Sequence, residues 1–195
     1  MKIIHILPEL EEGGVERHVL WLTEELFSRG HEVTVISSGG KMVSRLAPGV
    51  NHLTLPVDAK NPLTAFFCAR QIARLNRRQR VQALHAHSRV PAWIAYWAAR
   101  MAKISFVVTA HGVFSNRKAW IYHPYRKADK VICVSSAVKR TMEPLFGNNT
   151  TVILNGMPET DFVWKGPAGG ITRFLFIGRL TSLKGIQDIM EILPF

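Results

Sequence analysis

From residue 2 to residue 156, short apolar runs alternate with segments of helical period, joined by short connections. No other feature of the chain restricts its fold as much. "KIIHIL" (2–7) is a continuous apolar run, as a strand buried on both faces requires. From Val15 the period changes. Val15, Val19, Leu22 and Leu26 share one helical face, and Gly30 follows as a stop. "HEVTVIS" (31–37) and the alternating "VNHLTLPV" (50–57) read as strands. Over 62–78, Ala65, Cys68, Ala69, Ile72 and Leu75 form a helical stripe, with Arg70, Arg74, Arg77 and Arg78 largely off it. Strands are then expected at 81–87, 105–111, 130–135 and 150–156. Between them come a helix at 91–102 that is apolar nearly all round, a short helix at 117–128 and another at 136–146. Repeated strand–helix alternation of this kind specifies an α/β, doubly wound, mostly parallel sheet with helices on both faces. Ligands of such sheets bind beyond the carboxyl ends of the strands.

The pattern breaks at "PETDFVWKGPAGGITR" (158–173), which is rich in Pro and Gly and reads as a linker. "RFLFIGRL" (173–180) then reads as a strand with a turn, and 185–193 as a helix beginning. One strand and one helix cannot bury their apolar faces alone. The expected organisation is therefore a first domain over 1–165, with a linker and the truncated start of a second over 166–195.

The formal charge of +11 asks for an anionic partner: a nucleic acid, an acidic membrane surface or a phosphorylated ligand. Cys68 and Cys133 lie in apolar segments and read as reduced core residues, with no disulfide framework or zinc pattern. The N-terminus lacks the features of a signal peptide, and "VPAWIAYWAARMA" is too short to span a bilayer. A cytoplasmic chain is expected.

Each expected strand delivers polar groups at its carboxyl end. Gly13 and Gly14 follow the first. Paired glycines leave backbone N–H groups unshielded where a helix start adds partial positive charge, which suits a phosphate; a tight turn packed closely on its own sheet is the other reading. The fourth strand brings His85, His87, Ser88 and Arg89, the fifth Thr109, His111 and Gly112, the sixth Ser135 and Ser136, and the seventh Asn155 and Gly156. His85 and His87 point to one face of a strand, so with His111 they could hold zinc. No carboxylate cluster supports a metal, and the preferred reading is structural or substrate-orienting histidines, with His85 in the core and His111 against a ligand. A G-x-S-x-G elbow, a G-x-G-x-x-G fingerprint and a Walker loop are all absent. In "GRLTSLKG" (178–185), Arg179 and Lys184 flank a turn and suit phosphate oxygens, or form a solvated basic turn.

In order along the chain, "GGVE", "LHAHS", "VVTAHG", "VICVSSAVKR", "VILNGMPETDF" and "FLFIGRLTSLKGI" resemble the two-Rossmann-domain (GT-B) glycosyltransferases of retaining family 4. The resemblance covers almost the entire chain. It implies an acceptor-side Rossmann-like domain followed by the start of a donor-nucleotide domain. It also implies transfer of a sugar from a nucleotide-sugar to an acceptor hydroxyl, with retention and without a metal or other cofactor. His111 is then the catalytic-site residue, beside the transferred sugar. Gly13, Gly14, Arg179 and Lys184 bind the donor phosphates, and Glu16, His87 and Asn155 contact substrate. Two preorganised cations beside a departing diphosphate do the work of a metal. The family's glutamate pair, seven residues apart, would lie beyond Phe195, so this chain alone is expected to be inactive. Pro158 stands where the family commonly has Asp, two residues after the Gly of the "NG" turn.

The basic segments "RLNRRQR" (74–80) and "RKAWIYHPYRK" (117–127), the latter with Trp120, Tyr122 and Tyr125, suit an anionic bilayer, or form a solvated helix face with ordinary packing aromatics. Expected partners are thus a nucleotide-sugar, a glycan or lipid-linked acceptor and an anionic membrane surface on the inner face of the plasma membrane, and no nucleic acid. The pathway expected is bacterial envelope glycan or lipopolysaccharide assembly. The alternatives are a non-catalytic acceptor- or membrane-binding module, and a GT-B-like nucleotide-sugar epimerase.

Overall fold

A computed structural model describes residues 1–115, 118–158, 166, 174–178, 180 and 184–192. The chain divides into two compact units, Met1–Pro158 and Glu159–Phe195.

The first unit is built on seven parallel strands: β1 (Lys2–Ile6), β2 (Glu32–Ser37), β3 (Asn51–Thr54), β4 (Ala83–Ala86), β5 (Ser105–Ala110), β6 (Lys130–Cys133) and β7 (Thr150–Val152). Their order across the sheet is β3-β2-β1-β4-β5-β6-β7. The chain starts in the middle, winds outward to β3, crosses back to β4 beside β1, and winds outward the other way to β7. The direction reverses between β1 and β4, where Ile3 pairs with Ala83 and His5 with His85. This is the switch point at which doubly wound sheets leave a crevice at their carboxyl edge.

Helices α1 (Gly14–Ser28), α2 (Pro62–Gln79), α3 (Arg89–Ala102), α4 (His123–Lys127) and α5 (Ser136–Phe146) make the connections. Strand periodicity sorts the core. Ile4, Ile6, Leu84, Ala86, Phe106, Val108 and Ala110 are buried in one cluster with the apolar stripes of α2 and α3. Leu7 and Val35 belong to a smaller cluster with Val19 and Leu20 of α1. The intervening positions His5, His85 and Thr109 therefore point to the α1 side, since strand side chains alternate. Right-handed crossovers in opposite directions put α1 and α3 on opposite faces. Local chemistry fixes the helix starts. Asn61 Oδ1 accepts the Leu63 N–H at 2.9 Å with Pro62 in the first turn, and Ser135 Oγ accepts the Val138 N–H at 3.1 Å. Cys68 and Cys133 are free and buried.

Three expectations change. The third and seventh strands are shorter than the runs 50–57 and 150–156 suggested, because both are sheet edges with a neighbour on one side only. Residues 119–127 form a 3₁₀ turn, Ala119–Tyr122, running into the short α4. Tyr122 and Tyr125 are fully buried there, so they cannot be interfacial aromatics. They pack with Phe114 and Phe146, Tyr125 stacking on Phe146 at 4.5 Å between centroids.

The Tyr125 hydroxyl is buried without a hydrogen-bond partner among the described residues. Removing an unpaired buried hydroxyl removes a desolvation cost of about 1 kcal/mol or more. Tyr125→Phe is expected to leave the melting temperature unchanged or raise it; a drop of several degrees would show that the hydroxyl has a partner.

In the second unit, residues 174–177 have no regular secondary structure, in place of the strand expected over 173–180, and α6 spans Ile186–Ile192. The linker expected over 158–173 lies almost wholly outside the described residues.

Candidate active site

Five histidines converge at the carboxyl edge of the switch point: His5 from β1, His18 from α1, His85 in β4, and His87 and His111 just beyond β4 and β5. His5 Nδ1 lies 3.0 Å from His87 Nε2, and His87 Nδ1 lies 3.1 Å from His111 Nε2. A neutral imidazole has one N–H and one lone pair, so His87 donates through one nitrogen and accepts through the other. The result is a polarised row, His5–His87–His111, with Nδ1 of His111 at its outer end and without a hydrogen bond among the described residues. His85 Nε2 is held instead by Thr109 Oγ1 at 2.7 Å. The His18 ring stands edge-on to His111, 5.2 Å between centroids.

Burial is the main force on their ionisation. It lowers His5 to about 3, with the nearby His18 adding to the effect, and His111 to about 4 by the same two causes. His85 and His87 lie well below the ordinary value, chiefly through burial and then through the other imidazoles, and His18 is lowered by burial. At neutral pH the row is uncharged, so it can hydrogen-bond a sugar hydroxyl without repelling a cation nearby.

Two trios, His5–His85–His87 and His18–His87–His111, each bring one nitrogen per residue within 4.8 Å of the others. The first is sealed in the core, and the second reaches the half-buried His18 and His111. Neutral imidazoles in threes have the donor chemistry of a zinc-class site. The sequence grouping of His85, His87 and His111 is replaced by these two: His85 groups with the buried His5, and His111 with His18 from α1.

The other expected site residues fall as follows. Gly13 is the N-cap of α1 with an extended backbone (φ −169°, ψ 174°), which any residue can adopt. A Cβ there would meet only the flexible Glu16 carboxylate, and a Cβ on Gly14 would meet nothing within 4 Å. The tight turn packed on its own sheet is therefore not observed, and Gly14 is exposed at the start of α1. Glu16 folds back over Gly13, where its charge suits the helix N-terminus. Gly14 and His18 are one helical turn apart, so the glycine bend and His111 share one rim. His87, expected at the substrate, is 1% exposed and lies behind His111, its Nδ1 3.1 Å from His111 Nε2. Asn155 is exposed beyond β7. The residues after it, Gly156–Pro158, return toward His18 and Trp21, and together they line a groove of about 500 Å³. Lys184 is exposed in the second unit, one residue before Gly185 (φ +68°), while Arg179 lies outside the described residues.

Sequence reasoning missed His5 and His18. His5 carried a signal, a polar residue inside a strand buried on both faces, which must find a partner. His18 carried only its helical spacing from Gly14.

A family model described as "Glycosyltransferase Family 4" matches residues 12–160, taking in the glycine bend, His87 and His111. The chain belongs to glycosyltransferase family 4. Among curated relatives, the phosphatidylinositol N-acetylglucosaminyltransferase GPI3 subunit of Saccharomyces cerevisiae is 28% identical over 93% of this chain and 46% of its own length. The chain thus spans about half the length of the curated relatives it matches. Among solved structures, a glycosyltransferase from Rickettsia africae superposes with a TM-score of 0.69 at 29% identity, over 78% of this chain and 42% of that one. Anabaena HepE, solved in complex with UDP-glucose, shares the fold with a TM-score of 0.66 at 17% identity, over 80% and 44%. For a family 4 glycosyltransferase domain, the rim at the β1–β4 switch point is thus the place to seek chemistry.

Proposed function

We propose that this chain is the acceptor-side half of a retaining, metal-independent glycosyltransferase, which moves a sugar from a nucleotide-sugar to an acceptor hydroxyl in bacterial envelope glycan or lipopolysaccharide assembly. The observation that supports it most is the open glycine-led start of α1 on the same rim as the neutral His111. As the glycosidic bond to the diphosphate breaks, negative charge grows on the phosphate. The amides and the dipole at the start of α1 stabilise that charge. In the full-length protein Arg179 and Lys184 add two cations. His111 Nδ1 bonds a hydroxyl of the transferred sugar, with its ring held in place from behind by His87 and His5. Asn155 and Glu16 orient the substrates. The cytoplasmic side of an anionic membrane would hold both donor and acceptor.

Gly14→Ala separates this role from a structural one. Alanine is a better helix residue than glycine by up to about 1 kcal/mol, and nothing stands where its methyl group would go. The full-length variant is expected to be as stable as its parent or more so, yet to release nucleotide from its donor about 10-fold more slowly at subsaturating concentration, because the methyl group crowds the phosphate. Unchanged donor kinetics would remove the phosphate from this helix start.

A further inference from the structure

On the opposite face of the sheet, at the same edge, a groove of about 540 Å³ runs between the starts of α2 and α3 and the 3₁₀ turn. Its walls are mostly apolar, with Trp93, Trp97 and Trp120 the largest contributors, and its two charged lining residues, Lys60 and Arg89, are both cations. The volume is that of a small-molecule site, which is commonly about 300–1,000 Å³. The walls are held in place before any ligand arrives. Trp93 packs on Trp97 at 5.3 Å and on His123 at 5.9 Å, Phe66 meets Trp97 at 6.0 Å, and Asn61 caps α2 at the groove's mouth.

The surroundings say what fits it. Trp120 is 68% exposed and Leu63 79%, with Phe66 and Phe67 also at the surface of the first two turns of α2. No soluble core explains so many large apolar side chains around one opening. Further along α2 come Arg70, Arg74, Arg77 and Arg78, all exposed, and the helix carries no carboxylate. Apolar and aromatic groups followed by cations are the pattern of a helix lying at an anionic lipid interface. Arg89 ties the groove to the histidine rim. It follows His87 by two residues, and its guanidinium stacks at 5.1 Å on Phe114, three residues after His111.

We infer that this groove takes the hydrocarbon chain of a lipid-linked acceptor, with Lys60 and Arg89 on the lipid phosphate and the acceptor's sugar end directed over the rim toward His111. The inference rests on the glycosyltransferase reading and names its acceptor as an anionic lipid. A phosphate at the mouth meets two cations and no acid, and the chain beyond it meets tryptophan.

The test uses the full-length protein and phosphatidylcholine vesicles with and without phosphatidylglycerol, their acyl chains brominated. Bromine quenches tryptophan only on contact, so the anionic vesicles are expected to quench part of the fluorescence and the neutral ones far less. Trp120→Ala should remove a measurable share of that quenching. Lys60→Glu should weaken vesicle binding about 10-fold at low salt. Lys130→Glu, the same charge change at the amino edge of the sheet, should leave binding as it was. Equal quenching by both vesicle types, or Lys60→Glu and Lys130→Glu behaving alike, would overturn the inference. So would protection of the tryptophans by a soluble oligosaccharide with no response to vesicles. Vesicle binding needs no turnover, so the two readings fail separately: glycosyl transfer without quenching sinks the groove alone, and quenching without transfer from any nucleotide-sugar sinks the enzyme alone.

Discussion

Replacing His111 by Ala in the full-length protein is expected to lower kcat about 10²-fold, the usual loss when one preorganised hydrogen-bonding group is taken from a reacting centre. If the imidazole addresses the sugar as proposed, with the nucleotide held elsewhere, the loss should fall on kcat more than on nucleotide affinity. His111→Gln, which keeps a donor and an acceptor on a similar reach, should recover part of the rate. His87→Phe should act in the same direction but less strongly, since it removes the group that fixes the His111 ring from behind. A 10²-fold loss in nucleotide affinity with an unaltered kcat would place His111 on the nucleotide instead.

The second large effect is on stability in mild acid. In the unfolded chain an imidazole takes up a proton near pH 6.5. In the fold, burial holds His5 to about 3 and keeps His85 and His87 well below the ordinary range. Between those limits the unfolded chain binds more protons than the folded one, so acid favours unfolding. The contribution is complete above pH 6.5 and is lost as the pH falls below it. For His5 alone the loss is about 2 kcal/mol at pH 5, at about 1.4 kcal/mol per pH unit. His85 and His87 act in the same direction, so the switch point should open more easily at pH 5 than at pH 7.5. Hydrogen exchange of the β1 and β4 amides measures this directly. His5→Phe should flatten the profile by the share of one proton. Protection that is equal at pH 5 and pH 7.5 would show that the cluster is charged or hydrated in the fold.

Much of this architecture was legible because burial on both faces writes itself plainly into a strand. "KIIHIL" and "SFVVTAH" have few other physical readings, and the winding order follows from short connections and crossover handedness. The edges were read too long, since Leu53 and Ile153 are apolar yet exposed where the sheet runs out of neighbours. The sequence left Tyr122 and Tyr125 open between an interface and the core for a different reason. Their segment is too short for a period to emerge, and their burial depends on Phe114 and Phe146, which come from other parts of the chain. At the site, period two was enough to align His85 with His87. Only the pairing of β1 with β4 could reveal that His5 completes the row, and only the path of α1 could bring His18 to His111. The tryptophan groove was hidden because "PAWIAYWAARMA" reads as wholly buried. In fact its alanines meet the sheet while Trp93 and Trp97 stay half-open.

The central claim is that the glycine bend of α1 and the outer end of the histidine row form one site, with phosphate at the first and sugar at the second. Imidazole and backbone-amide ¹⁵N spectra of the full-length protein test it most directly. They should be recorded first with the nucleoside diphosphate alone, then with whichever nucleotide-sugar of a panel supports turnover. The nucleotide alone should shift the backbone amide of Gly14 and leave the His111 ring nearly unmoved, and the nucleotide-sugar should add a large shift at His111 Nδ1 with a smaller one passed to His87. A productive donor that leaves both Gly14 and His111 unshifted would contradict the account.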